Sequence, residues 1–324
     1  MDSYLQCRRW PEEGQKVNAE DMGRVYGGMI PNAAAIFAGY GIAPMMMGPL
    51  QDNADADPIR TELQAAGVDT RMVRRSAEFL NSAAYNILSR ENPNEKTLII
   101  VDPGYDFELN DAERAALTGA RFIYSTIAHL TRIRGIVDVL AEARAGGTRL
   151  FIDVEAESFA STEDSWWAFT AADFLSFNAE SLEKLCRNRP RTEIFDEILA
   201  RTGGEIVTTL GKDGCRITTR DGDILVAGIP VRAVDPLGAG DTFNATYLYG
   251  RAAGWSIERA ARFANAAAAR STTIVGPRSG HASIPVIERF LADRGFRGVS
   301  AASPDAAGDG RPEVQEKHDK EELQ

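Results

Sequence analysis

Asp241 directly follows Gly238, Ala239 and Gly240, and the chain from Thr242 reads as an apolar helix, TFNATYLYGRAAG, that stops near Gly254. The first N–H groups of a helix have no internal acceptor and its dipole makes that end positive, so the turn in front of it is an anion site. A carboxylate beside an anion repels it unless it does chemistry there. A base that takes the proton from an attacking hydroxyl needs this placement. Taken alone, the turn is better explained by Asp241 merely capping the helix and by glycines that only reverse the chain.

Other small and polar residues recur at comparable places. Gly27 and Gly28 precede a helical pattern, PNAAAIFAGYG, with Pro31 in its first turn and Gly41 as its stop. Asn178 follows an apolar run, and Thr209, Gly211 and Gly214 lie in TTLGKDG after another. Each has a plain explanation as a turn or a cap. Their joint occurrence where strands hand over to helices points instead to one phosphate and polyol site, because open α/β sheets bind ligands at that end. No GxxxxGK[ST] occurs, which excludes an ordinary P-loop, and no GxGxxG follows the first strand, which weakens a dinucleotide dehydrogenase.

The elements that must hold these residues follow from pattern. The runs TRLFIDV (148–154), ADFLSF (172–177) and EIVTTL (205–210) read as buried strands, and RIRGIVDVLAEARAGG and TEIFDEILARTGG between them as helices ending at paired glycines. The alternation predicts an α/β fold with a doubly wound, mostly parallel sheet flanked by helices. CRITTRDGDILVAG predicts a hairpin, and YLQCRRW, SAAYNILS and KTLIIV predict a small separate β-sheet that could lie over the site as a lid.

A chain of 324 residues with 44% hydrophobic content can bury a large core. Its 36 Lys and Arg stand against 47 Asp and Glu, a net charge of −11, which argues against a nucleic-acid or anionic-membrane surface. Cys7, Cys186 and Cys215, with His129, His281 and His318, are scattered without metal spacing, so a reducing cytoplasm and no zinc are expected. There is no secretory leader pattern and no apolar run long enough for a bilayer.

DPLGAGDTFNA, YGGMIPNAAAIFAGYG, VTTLGKDGC and NAAAARSTTIVG together resemble, in order, the motifs of the ribokinase-like or PfkB carbohydrate kinases, over Asp2 to about Phe296. Within that family, DTFNA and the DVE of 153–155 are most similar to ketohexokinase. The resemblance implies a ribokinase-like domain over 1–297, with lid strands near 4–18 and 82–101, and ATP-dependent transfer of a phosphate to a sugar hydroxyl. Asp241 matches the catalytic base and the amides of Gly238, Ala239 and Gly240 the anion hole. Asp2, Gly27, Gly28 and Asn32 fall where the family binds sugar. Asn178, Thr209, Gly211, Gly214 and Asn265 match its nucleotide-binding segments. Mg2+ would be held largely by phosphates and water with Asn178 and Glu180 in the outer shell, and Asp235 resembles the aspartate of a K+ loop. The lid of such proteins often forms a homodimer interface.

The departures are specific. Glu180 stands two residues after Asn178 where the family has three, Pro236 replaces the usual Thr of the cation loop, Met29 stands at a polar sugar position, and IYSTIAHL lacks an expected acid. The acceptor is therefore left open among ketohexoses, 2-keto-3-deoxygluconate and nucleosides, and a non-catalytic sugar-binding regulator remains the reading from another class. The family also begins with an apolar central strand leading into the sugar-binding aspartate, which here is Asp2, so a missing strand and an upstream translation start are expected. GVSAASPDAAGDGRPEVQEKHDKEELQ, 298–324, is polar and charged and reads as a disordered tail.

Overall fold

The computed structural model describes residues 1–91, 96–278 and 280–296, so the tail expected at 298–324 lies outside the described residues. The strands are β1 (Asp2–Cys7), β2 (Ala19–Val25), β3 (Met45–Gln51), β4 (Asp69–Ser76), β5 (Ala83–Ser89), β6 (Lys96–Val101), β7 (Phe122–Thr126), β8 (Arg149–Val154), β9 (Phe174–Phe177), β10 (Glu205–Thr209), β11 (Gly214–Thr219) and β12 (Gly222–Ala227). The helices are α1 (Met29–Gly39), α2 (Ala56–Ala65), α3 (Asp111–Thr118), α4 (Ile127–Leu130), α5 (Ile136–Ala145), α6 (Trp166–Ala171), α7 (Ala179–Leu185), α8 (Arg191–Thr202), α9 (Ala239–Ala252), α10 (Ile257–Ser271) and α11 (Ile284–Ala292).

The main sheet runs β12-β11-β10-β9-β8-β7, with β7 to β10 mutually parallel and the β11–β12 hairpin antiparallel at one edge. Parallel strands need cover on both faces, and the side chains of β8 alternate accordingly. Leu150 and Ile152 enter a core with Phe169, Phe195 and Ile198 of α6 and α8, while Phe151 enters the opposite core with Phe243, Tyr247 and Phe263 of α9 and α10. The expected α/β architecture with mixed sheets and helices on both faces is therefore the one observed.

A second sheet, β2-β1-β5-β6, is formed by the segments expected to make a lid. Its second strand begins at Ala19, beyond the expected limit of 18, because the intervening stretch contains Pro11, which cannot donate to a ladder, and Gly14 at φ 80°.

β3 and β4 form a third, two-stranded sheet. Among the described residues β3 pairs only with β4 and β7 only with β8, leaving one edge of each without a strand partner. A cavity of about 610 Å³ lies between these edges, lined by apolar side chains that include Met45, Met47, Phe122 and Phe37. Backbone N–H and C=O groups at such an edge need partners that an apolar cavity does not supply. A strand seated in this cavity would give both edges ladder partners. Joining a Val- and Ile-rich segment of about six residues ahead of Met1 is expected to raise the thermal unfolding midpoint. The same segment with alternate prolines should not, and equal midpoints for the two would show that the gap does not seat a strand.

Candidate active site

Helix α9 begins at the GAG turn because Gly238 takes φ 76° and sits where a Cβ would lie 2.1 Å from the Pro277 carbonyl oxygen. Only glycine fits there. Thr242 closes the first turn, donating from its backbone N–H and from Oγ1 to the Gly238 carbonyl at 2.9 and 2.7 Å. The expected set of three free amides needs one correction: the Ala239 N–H already donates to the Pro236 carbonyl at 3.2 Å. The N–H groups of Gly238, Gly240 and Asp241 make no hydrogen bond among the described residues. A Cβ on Gly240 would meet nothing within 4 Å, so this helix end opens onto free space large enough for an anion to approach.

Asp241 is buried in the first turn of α9, and its Oδ2 accepts from Asn32 Nδ2 at 2.7 Å. Asn32 comes from α1, 209 residues earlier, and is itself buried. Its Oδ1 accepts from Arg278 Nε at 3.0 Å. The same guanidinium donates to the Glu62 carboxylate at 2.9 Å and the Gly27 carbonyl at 3.2 Å. Because Arg278 can only donate, it fixes which end of the Asn32 amide faces Asp241. Sequence reading missed Arg278: it lies in a loop after α10, and only the folded chain brings it to Asn32. Asp2 is buried against Gly27, where a Cβ would stand 1.9 Å from its Oδ2, and Gly28, at φ 98°, caps α1. The residues expected to hold a sugar thus gather around the expected base.

Burial pushes the Asp241 carboxyl up to about 7; the Asn32 hydrogen bond opposes this, the Glu155 and Asp2 charges reinforce it, and Arg278 opposes it. Asp153, at the end of β8, is buried beside it and raised well above the carboxylate range by desolvation, then by Asp241 and Glu155, and Tyr124 Oη donates to it at 3.3 Å.

The residues expected to meet a nucleotide divide into two groups. Gly211 is at φ 59° with nothing within 4 Å of a Cβ there, so it borders open space; Thr209, at the end of β10, is half-buried and its Oγ1 donates to the Phe177 carbonyl at 3.4 Å. Gly214 is a glycine for internal reasons, since a Cβ would lie 2.1 Å from the Val226 carbonyl. Asn265 is buried and its amide donates to the carbonyls of Val226 and Ala227, both at 3.1 Å. The NH2 half of that amide thus holds β12. Asn178 caps α7, its Oδ1 accepting from the Ser181 N–H at 2.8 Å while Ser181 Oγ accepts from the Asn178 N–H at 3.0 Å.

Among the described residues no three His, Cys, Asp or Glu side chains gather to hold a metal ion. Glu155, however, is raised by burial and by the charges of Glu157 and Glu180. A hydrated divalent cation near these carboxylates would relieve that repulsion, so the donor set fits Mg2+ carried mainly by phosphates and water. Asp235 ties two loops together, accepting from Leu237 N–H at 3.0 Å and Gly276 N–H at 2.9 Å.

The sequence pattern of the pfkB family carbohydrate kinase matches residues 2–283. The chain belongs to this family. It is similar to the ribokinase of Bacillus subtilis (strain 168), 26% identical over 297 residues, covering 90% of this chain and 96% of that protein. Mouse ketohexokinase is 24% identical over 263 residues, covering 79% and 87%, a distant relative that the narrower resemblance does not set apart. The solved Arabidopsis thaliana ribokinase with ribose and ATP shares the fold at a TM-score of 0.74, with 22% identity and coverage of 90% of this chain and 95% of that one.

As a sugar or nucleoside kinase, this protein transfers phosphate to a hydroxyl group. A base for that step works only when ionised, so kcat/KM is expected to rise with pH through a limb centred near the Asp241 value of about 7. Stability should run the other way: the folded carboxyl holds its proton above the unfolded range, so stability declines as pH rises through that window. Arg278→Met removes an opposing charge and should move the kinetic limb to higher pH. An unshifted limb in that variant would separate Arg278 from the base.

Proposed function

We propose that the protein is an ATP-dependent, Mg2+-requiring kinase of a sugar hydroxyl, with Asp241 as base and the α9 amino-terminal amides as anion hole. The observation that carries this reading is the buried carboxylate held by Asn32 next to the unspent N–H groups of Gly240 and Asp241. A binding protein has no use for a base aimed at an anion-sized opening.

In this reading Asp2, Gly27, Gly28 and Asn32 enclose the acceptor and Thr209 and Gly211 border the nucleotide. Asp241 takes the proton as the hydroxyl oxygen attacks the terminal phosphorus, the bond to the leaving ADP breaks, and the amides stabilise the charge on the transferred group. Mg2+, when bound, neutralises phosphate charge, with Asn178, Glu180 and Glu155 positioned to orient its water. Asp235, by fixing the loop of 234–237 against Gly276, supports K+ dependence. A ketohexose is the first acceptor to try, with 2-keto-3-deoxygluconate and nucleosides next. On the face of the four-stranded sheet opposite to Asp2, Tyr85 and Ile99 pair across β5 and β6 and are exposed, apolar surface that supports a homodimer formed through it. Among the described residues no helix is long and apolar enough to cross a membrane, which fits a cytoplasmic enzyme.

The test is an ADP-release assay over ketoses, aldoses, keto-deoxy acids and nucleosides. Asp241→Asn is expected to lower kcat by about 10²–10⁴-fold while calorimetry still detects the acceptor. Acceptor binding with no turnover in the unmodified protein would favour the regulator instead.

A further inference from the structure

Charge on the acceptor side of the cleft is one-sided. Asp2 is buried against Gly27, and Asp241 is buried beside Asn32. Of the charges that act on Asp241, Glu155 and Asp2 are negative and Arg278 is positive.

That cation is already claimed by the protein. Its Nε donates to Asn32 Oδ1 at 3.0 Å, Nη2 to the Gly27 carbonyl at 3.2 Å and Nη1 to the Glu62 carboxylate at 2.9 Å, so every nitrogen of the guanidinium is engaged. Of these partners only Glu62 brings a charge to match. Burial disfavours the charged guanidinium, and the Glu62 carboxylate is the first of the groups that favour it. The pair runs from the interior outward, with 13% of the Arg278 side chain exposed and 41% of that of Glu62. Packing fixes the carboxylate. Leu63, the next residue of α2, is fully buried against Ala34 of α1, the helix that also carries Asn32. The two side-chain partners of Arg278 are thus set by one helix pair.

A neutral polyol suits such a place, since its hydroxyls can donate to carboxylates. A carboxylate on the acceptor would instead face Asp2, Asp241 and Glu155, while the nearby cation is matched by Glu62. Like charges brought together in this way reject a ligand more strongly than a poor fit does.

We infer that Glu62 is a specificity-determining residue: by neutralising Arg278 it restricts the acceptor to uncharged polyols and nucleosides and turns away sugar acids. The inference rests on the kinase reading for the reaction and narrows it in the acceptor. Glu62 acts through Arg278 and is a positioning residue. With Glu62 neutral, the guanidinium charge is unmatched, and Arg is the side chain best suited to receive a carboxylate.

The experiment measures kcat/KM by ADP release for the full chain and its Glu62→Gln and Glu62→Asp variants. D-fructose, D-ribose and adenosine serve as neutral acceptors, and D-gluconate and 2-keto-3-deoxygluconate as acids. The unmodified protein is expected to prefer a neutral acceptor. In Glu62→Gln, which keeps the length of the side chain and its hydrogen-bond acceptor, the ratio of acid to neutral kcat/KM should rise about 10-fold or more. Glu62→Asp keeps the charge and should hold the ratio near its original value. Glu62→Gln combined with Arg278→Met should lose the gain. A merely structural Glu62 would lower all acceptors in proportion and leave the ratio unmoved. That result, or an unmodified protein that prefers a sugar acid, would overturn the assignment of Glu62 while the kinase reading stood. If the unmodified protein turned over none of the panel, the assignment would fall together with the kinase reading.

Discussion

The constraint on which the site depends is the burial of one carboxylate. Asp241 stands at the positive end of α9, out of water, where its ionised form survives only because specific groups favour it. Asn32 donates to it at 2.7 Å, and Arg278 holds Asn32 in the orientation that makes this possible. These three residues come from α1, α9 and the loop after α10, so correct folding of distant segments is what gives the carboxyl its intermediate affinity for a proton. Desolvation, the Glu155 charge and the Asp2 charge pull the other way. A group so balanced can take a proton in one step and release it in the next near neutral pH.

The surrounding architecture serves the same balance. Four parallel strands aim their carboxyl ends at one region, and the two hydrophobic cores on either face keep that aim fixed. Pro277 and Arg278 act on both sides of the cleft: the Pro277 carbonyl crowds the Gly238 Cα while Arg278 binds the Gly27 carbonyl and Asn32. The turn that opens α9 and the turn that opens α1 are thereby locked to one loop. The four-stranded sheet is tied to the same region, since Asp2 opens its strand β1, lies against Gly27 and acts electrostatically on Asp241.

What the sequence disclosed was what local pattern encodes. Buried strands of Phe, Ile and Val, the hairpin around Asp221 and Gly222, and the glycine-started helix that carries Asp241 in its first turn are set by neighbours in the chain, and they stand close to where pattern placed them. The lid's second strand was misplaced because its residues, AEDMGRV, are fully exposed and carry no alternation to read. Arg278 was invisible for another reason: nothing in the sequence tells a buried Arg from a solvated one. Asn265 shows a related point, since its Nδ2 donates to two carbonyls of β12, a use that local pattern does not disclose. Ala239 is the same lesson at one peptide group, its N–H taken by Pro236.

The most direct measurement is a crystal structure of the protein with a non-hydrolysable ATP analogue and a bound polyol. The Asp241 carboxylate is expected within about 2.6–3.2 Å of an acceptor hydroxyl, with the terminal phosphate against the Gly240 and Asp241 amides. A carboxylate facing away from that hydroxyl, or a phosphate held elsewhere than at the start of α9, would contradict it.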